Sequence, residues 1–129
     1  MADPQKLRIL LIDNEPNTQE LLKRDLESLG HEVTLAEDGA SGVELAKQDP
    51  PADLLLIDLV MDPKGAELVI EEICLDLRMA NVAVIVCALQ RYATLRRRLG
   101  ERPRITLHKP FRLPELQNAI TQALAAIPK

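Results

Sequence analysis

An aspartate ends the most apolar stretch of the chain. Leu54–Ile57 form an unbroken apolar run that stops at Asp58. A continuous run of this kind is typical of a strand buried on both faces, and ligands of parallel α/β sheets bind at the carboxyl ends of the strands. The position of Asp58 therefore favours a chemical role. The alternative is that Asp58 only caps the segment that follows the strand.

Other polar or reactive side chains also follow predicted strands. They are Asp13, Asn14 and Glu15 after residues 7–12, Cys87 after residues 82–86, and Lys109 after residues 105–107. The carboxyl ends of parallel strands share one edge of a sheet, so we expect these side chains to lie near Asp58.

The hydrophobic pattern predicts five strands alternating with five helices. Besides the strands above, residues 32–36 alternate as a strand, and Asp38 and Gly39 suggest a turn. The first helix is expected from Pro16 to a stop at Gly30. The helical stripes are Leu21, Leu22, Leu26 and Leu29 in the first helix, and Leu116, Ala119, Ile120, Ala123 and Leu124 in the last. Short connections between such elements predict a doubly wound parallel sheet with right-handed crossovers.

Length and composition predict one domain over residues 1–129, with no output domain. Cys74 and Cys87 lie in apolar contexts, which favours reduced, buried thiols, and Cys87 is better explained as a space-filling residue than as a redox sensor. No secretory signal is visible, and the longest uncharged apolar run, Val82–Leu89, is too short to cross a membrane. We therefore expect a cytoplasmic protein.

The net charge of −4 is unevenly distributed. Residues 1–76 hold 18 acidic against 6 basic side chains, and residues 77–129 hold 2 acidic against 10 basic. Six arginines fall between Arg91 and Arg104. Nucleic-acid binding is disfavoured because no helix-turn-helix pattern is present and only Tyr92 supplies an aromatic ring nearby. An acidic protein partner is the better match.

Carboxylates together with an amide side chain make a hard-oxygen site suited to Mg²⁺. A lysine suits a phosphate, and a strand-end aspartate can attack phosphorus to give an aspartyl phosphate.

Three segments in this order and spacing resemble the receiver domain of two-component response regulators over nearly the whole chain. They are Asp13-Asn14-Glu15 with Pro16, the segment ADLLLIDLVM around Asp58, and Lys109-Pro110-Phe111.

The resemblance implies a flavodoxin-like five-stranded sheet in the order 2-1-3-4-5 with five helices. It implies Mg²⁺-dependent transfer of a phosphoryl group to Asp58 from a histidine kinase or phosphotransfer protein, with no enzymatic activity beyond Mg²⁺-assisted self-phosphorylation and dephosphorylation. Signalling would pass through the face of the fourth helix, fifth strand and fifth helix to an unknown output partner or a second copy. For phosphoryl transfer, the implied site residues are Asp58 as phosphoacceptor, Lys109, and Cys87 at the Ser/Thr switch position. The implied metal ligands are Asp13, Asn14, Asp58, the Val60 carbonyl and additionally Glu15.

The chain departs from the family pattern at positions that bind the metal or respond to phosphorylation. Asn14 replaces an aspartate that binds metal directly, so Mg²⁺ binding is expected to be weak. Cys87 replaces a serine or threonine, Thr106 an aromatic residue, and Met61–Gly65 differs from the usual loop. These departures leave open a degenerate pseudo-receiver that acts as a phosphorylation-independent interaction module.

Two enzyme or cofactor classes of similar fold fit less well. A haloacid-dehalogenase-like phosphatase needs a second aspartate where Val60 stands, and neither His31 nor His108 suits a cobalamin-binding loop.

Overall fold

The described part of the chain contains five parallel strands and three helices. The computed structural model describes residues 6–13, 15–46, 48, 52–58, 82–88, 105–108 and 111–125. The strands are β1 (Arg8–Ile12), β2 (Glu32–Ala36), β3 (Leu54–Asp58), β4 (Ala83–Ala88) and β5 (Ile105–His108). The described helices are α1 (Pro16–Ser28), α2 (Gly39–Ala46) and α3 (Leu113–Ala125), the last of which is the fifth predicted helix. The third and fourth predicted helices lie outside the described residues.

The strands form one sheet in the order β2-β1-β3-β4-β5, with every pair parallel. This order confirms the predicted doubly wound topology. The central strands are buried as their continuous apolar sequence predicts: Leu54–Ile57 are 0% exposed, and Val82–Cys87 are buried throughout.

Two apolar clusters cover the two faces of the sheet. On one face, Leu10, Leu55 and Val84 belong to a cluster against which Val43 and Leu45 of α2 pack. On the other face, side chains of β1, β3 and β4 pack with buried residues of α1 and α3. Helices on both faces explain why the central strands carry no polar side chain along their length.

Asp53 fixes the register of β3 at its amino end. Its backbone N–H donates to the Arg8 carbonyl oxygen at 2.8 Å, and its carboxylate Oδ2 accepts the Arg8 N–H at 2.8 Å. Its own carbonyl oxygen accepts the Ala83 N–H at 3.0 Å. One residue therefore ties β3 to both neighbouring strands.

The segment after β2 differs from the sequence prediction. The sequence predicts a turn at Asp38 and Gly39, whereas in the structure Gly39 is the first residue of α2. Asp38 Oδ1 accepts the Ser41 N–H at 2.8 Å, which is the geometry of a helix cap. This hydrogen bond lowers the pKa of the Asp38 carboxyl below its ordinary value.

Gly42 brings α2 close to the carboxyl end of β1. A Cβ atom at this position would lie 2.5 Å from Ile12 Cδ1, and Ile12 is fully buried. A glycine is needed here for close approach rather than for backbone freedom.

Leu21 does not belong to the buried stripe of α1, contrary to the sequence prediction. Its side chain is 58% exposed, whereas Leu22 and Leu26 are buried. Successive residues of a helix are separated by about 100°, so a stripe centred on Leu22 and Leu26 turns Leu21 away from the sheet. The stop of this helix is as predicted, since Gly30 has a φ of 96°.

Leu26→Ala and Leu21→Ala form a matched pair in one helix. Leu26→Ala should lower the free energy of unfolding by about 2–5 kcal/mol because it leaves a cavity in the core. Leu21→Ala should change it by no more than about 0.5 kcal/mol. Urea denaturation measures both, and equal losses would contradict the assignment of the buried face.

His31 links the end of α1 to the start of β1. Its Nδ1 accepts the Leu7 N–H at 3.1 Å, and its backbone N–H donates to the Leu26 carbonyl oxygen at 3.2 Å. Partial burial lowers the pKa of the imidazole below its ordinary value. The folded protein therefore favours the neutral ring, which alone can accept the Leu7 hydrogen bond.

This lowered pKa predicts a loss of stability in mild acid. The unfolded chain binds the proton more readily, so the contribution of His31 is present above the ordinary histidine pKa of about 6.5 and is lost as the pH falls through the lower folded value. His31→Asn keeps an acceptor but does not titrate. Urea midpoints at pH 7.5 and 5.5 should differ more for the wild type than for His31→Asn; equal differences would exclude His31 as the cause.

Among the described residues, no helix has the length and apolar composition needed to cross a membrane.

Candidate functional site

The strand register brings the carboxyl ends of β1, β3 and β4 together. Ile12 pairs with Ile57, and Asp58 pairs with Cys87. Asp13 follows Ile12 directly, so Asp13 and Asp58 follow paired residues on adjacent strands. Because β2 lies on one side of β1 and β3 on the other, this is also the point where the winding of the sheet reverses, at which ligands of open α/β sheets bind.

Asp13 is fully buried at 0% exposure, and it is the one buried charged or polar residue among the side chains that the structure describes. Its Oδ1 accepts the Glu15 N–H at 2.9 Å, and its own N–H donates to the Ala36 carbonyl oxygen at 3.0 Å. A buried carboxylate is costly unless hydrogen bonds or cations stabilise it. Asp13 is therefore placed for a role other than packing.

Glu15, which the sequence offered as an additional metal ligand, is the N-cap of α1. Its Oε1 accepts the Asn17 N–H at 3.2 Å, and its Oε2 accepts both the N–H and the hydroxyl of Thr18 at 2.7 Å. The first turn of α1 thus uses both carboxylate oxygens. A metal-binding role for Glu15 stays a prediction.

Cys87 is 0% exposed and packs in the apolar cluster between the sheet and the layer of α1 and α3. It is the strand partner of Asp58. Its burial agrees with the interpretation of a space-filling residue, and its register places it next to the candidate phosphoacceptor.

Several predicted site residues lie outside the described residues. Asn14, Val60 and Lys109 are among them, as is the side chain of Asp58, so their roles stay predictions. Lys109 is the next residue after β5, which ends at His108. Within the described ranges, no group of three or more carboxylate, histidine or cysteine side chains is arranged to bind a metal ion.

Gln19 contacts the site although the sequence did not point to it. Its side-chain amide donates to the backbone carbonyl oxygen of Asp13. The two residues are six positions apart, and nothing in the sequence pattern shows that the Gln19 side chain reaches back from the start of α1 to the preceding loop.

The residues at the strand ends fit Mg²⁺ better than a softer metal. Asp13 supplies a buried carboxylate, and Asp58 is a second carboxylate-bearing residue on the neighbouring strand. Oxygen donors of this type suit Mg²⁺, which takes one or two protein carboxylates and keeps several waters.

The chain belongs to the response regulator receiver domain family, whose model matches residues 9–121. Protein PilH of Pseudomonas aeruginosa is 32% identical over 121 residues, covering 92% of this chain and 98% of PilH. Three other curated relatives are longer, and the chain spans 32%, 12% and 47% of their lengths.

Solved structures show the same fold. The receiver domain of a sensor histidine kinase from Pseudomonas aeruginosa PAO1 has a TM-score of 0.78 at 25% identity, over 94% of this chain and 99% of that chain. That structure has a magnesium ion coordinated in its active site cleft. The chemotaxis response regulator CheY4 of Vibrio cholerae has a TM-score of 0.81 at 16% identity, over 93% of this chain and 100% of that chain, which supports the flavodoxin-like fold alone.

The burial of Cys87 predicts slow reaction with thiol reagents. In a Cys74→Ala variant, a disulfide reagent such as dithionitrobenzoate should label Cys87 at least about a thousandfold more slowly in buffer than in denaturing urea, because labelling requires opening of the core. Absorbance of the released thiolate measures the rate. Rapid labelling in buffer would contradict the burial of this thiol.

Proposed function

We propose that this receiver domain accepts a phosphoryl group on Asp58 within a two-component phosphorelay. The observation that supports the proposal best is the fully buried carboxylate of Asp13 at the winding reversal of the sheet, directly after the strand that pairs with the one ending at Asp58. A buried carboxyl group contributes little to apolar packing, whereas a site for a cation and a phosphoryl group needs carboxylate oxygens.

In the proposed reaction, a carboxylate oxygen of Asp58 attacks phosphorus of a phosphohistidine or a small acyl phosphate. A bond from Asp58 oxygen to phosphorus forms, and the bond to the donor group breaks, with its electron pair leaving on the donor. Lys109 would place a positive charge near the phosphoryl oxygens.

Mg²⁺ would be held by Asp13 and Asp58, with Asn14 and the Val60 carbonyl as further proposed ligands. When bound, it supplies positive charge that offsets the charge on the phosphoryl oxygens. The Asn14 side chain has an oxygen but no charge. We therefore expect Mg²⁺ to bind about tenfold more weakly than it would to an aspartate at this position, a difference of about 1.4 kcal/mol.

The proposed partners are a histidine kinase or phosphotransfer protein as donor, and an output protein or a second copy as receiver of the signal. The chain would act as a substrate in this relay and not as an enzyme toward other molecules. The proposed signalling face includes β5, α3 and the arginine-rich segment 91–104, which lies outside the described residues. Its positive charge favours an acidic partner.

Phosphorylation is tested directly by mass. Incubation with acetyl phosphate and Mg²⁺ should add the mass of one phosphoryl group to the wild type, and Asp58→Asn should gain none because its amide is not a nucleophile. Intact-mass spectrometry measures both proteins. If the wild type stays unlabelled under conditions that label another receiver domain, the phosphoacceptor proposal fails and the pseudo-receiver interpretation replaces it.

Cys87 should weaken the response to phosphorylation. A thiol is a poor hydrogen-bond donor, and a hydrogen bond of the kind a threonine would make contributes about 1 kcal/mol, enough to change a small switching bias. Amide NMR spectra with beryllofluoride and Mg²⁺ should show larger shifts over residues 88–106 in Cys87→Thr than in the wild type. Large shifts already present in the wild type would contradict this role.

A further inference from the structure

A set of hydrogen bonds joins the start of α1 to the loop that carries Asp13. The Glu15 N–H donates to Asp13 Oδ1 at 2.9 Å, and the Gln19 side-chain amide donates to the Asp13 carbonyl oxygen. The Gln19 N–H in turn donates to the Glu15 carbonyl oxygen at 2.9 Å. The carboxylate and the main chain of Asp13 are thus held by two residues that belong to, or cap, the same helix.

The Glu15 carboxylate itself is committed to that helix. It accepts three hydrogen bonds from Asn17 and Thr18. Turning it toward a metal ion would give up these bonds and leave N–H groups of the first turn without their cap. Its exposed position at the helix start therefore favours capping over metal ligation.

We propose that Glu15 and Gln19 are positioning residues for Asp13 and that neither binds Mg²⁺. Glu15 acts through its main-chain N–H and by fixing the start of α1, and Gln19 acts through its side-chain amide. This inference rests on the proposed function, in which Asp13 is a metal ligand. Residues that orient metal ligands contribute tenfold or more to affinity because an unfixed ligand must be ordered when the ion binds.

Magnesium titrations of the unphosphorylated protein, followed by amide NMR, test the proposal without any phosphoryl transfer. Gln19→Met keeps the length of the side chain but cannot donate, and it should weaken Mg²⁺ binding about tenfold. Gln122→Met, at an exposed glutamine of α3, is the matched control and should leave the affinity unchanged. Glu15→Gln keeps a cap acceptor and the N–H to Asp13, and its affinity should stay within about twofold of the wild type.

A second signal separates positioning from general loss of structure. In the absence of metal, Gln19→Met should shift the carbonyl carbon resonance of Asp13, which loses its hydrogen-bond donor, while the carbonyl resonances of the β1 residues 8–12 stay in place. Shifts spread along β1 together with an unchanged Asp13 resonance would mean that Gln19 only stabilises the fold, and the proposal for Gln19 would be wrong.

Asp13→Asn distinguishes failure of this inference from failure of the proposed function. If the wild type binds no Mg²⁺, or Asp13→Asn binds as well as the wild type, the proposed metal site is wrong and the positioning role falls with it. If Asp13→Asn weakens binding but Gln19→Met does not, the metal site stands and the role of Gln19 is overturned. If Glu15→Gln weakens binding as much as Asp13→Asn does, Glu15 is a ligand and not a positioning residue.

Discussion

The register of β3 between β1 and β4 is the constraint on which the site depends. An apolar strand buried on both faces has little alternation to specify its alignment, so contacts at its ends help to set it. Asp53 supplies such contacts by hydrogen bonding to both Arg8 and Ala83. In this register Asp58 pairs with Cys87 of β4. Asp58 is also the residue after Ile57, which pairs with Ile12 of β1.

The burial of Asp13 costs free energy of folding. A carboxylate with 0% exposure is destabilising unless its partners offset the loss of water, and the loop before α1 supplies such a partner in the Glu15 N–H. The close approach of α2 through Gly42 and Ile12 closes the other side of the same strand end. The sheet therefore holds a carboxyl group in a position that packing alone would give to an apolar residue, as expected where function and stability compete.

Sequence periodicity predicted the strands and helix ends that local residue patterns determine. It placed β2 at residues 32–36, the end of β3 at Asp58 and the helix stop at Gly30, because burial on two faces, alternation and a left-handed glycine each leave a direct mark in the sequence. It misplaced Leu21, since a run of two leucines does not show which one faces the sheet. It did not find Gln19, because a side chain that reaches back to a loop carbonyl depends on the folded geometry, and the burial of Asp13 is likewise set by its neighbours. Lys109 and Asn14 lie outside the described residues, so the sequence remains the basis for their roles.

In the proposed function, Asp13 and Asp58 form one site for a cation and a phosphoryl group. A crystal structure with Mn²⁺ and beryllofluoride, with anomalous data collected to locate the manganese, tests it most directly. One manganese peak should lie at coordination distance, roughly 2.1 Å, from carboxylate oxygens of both residues, and beryllofluoride should be bonded to Asp58. Manganese bound away from Asp13, or beryllofluoride on another residue, would contradict it.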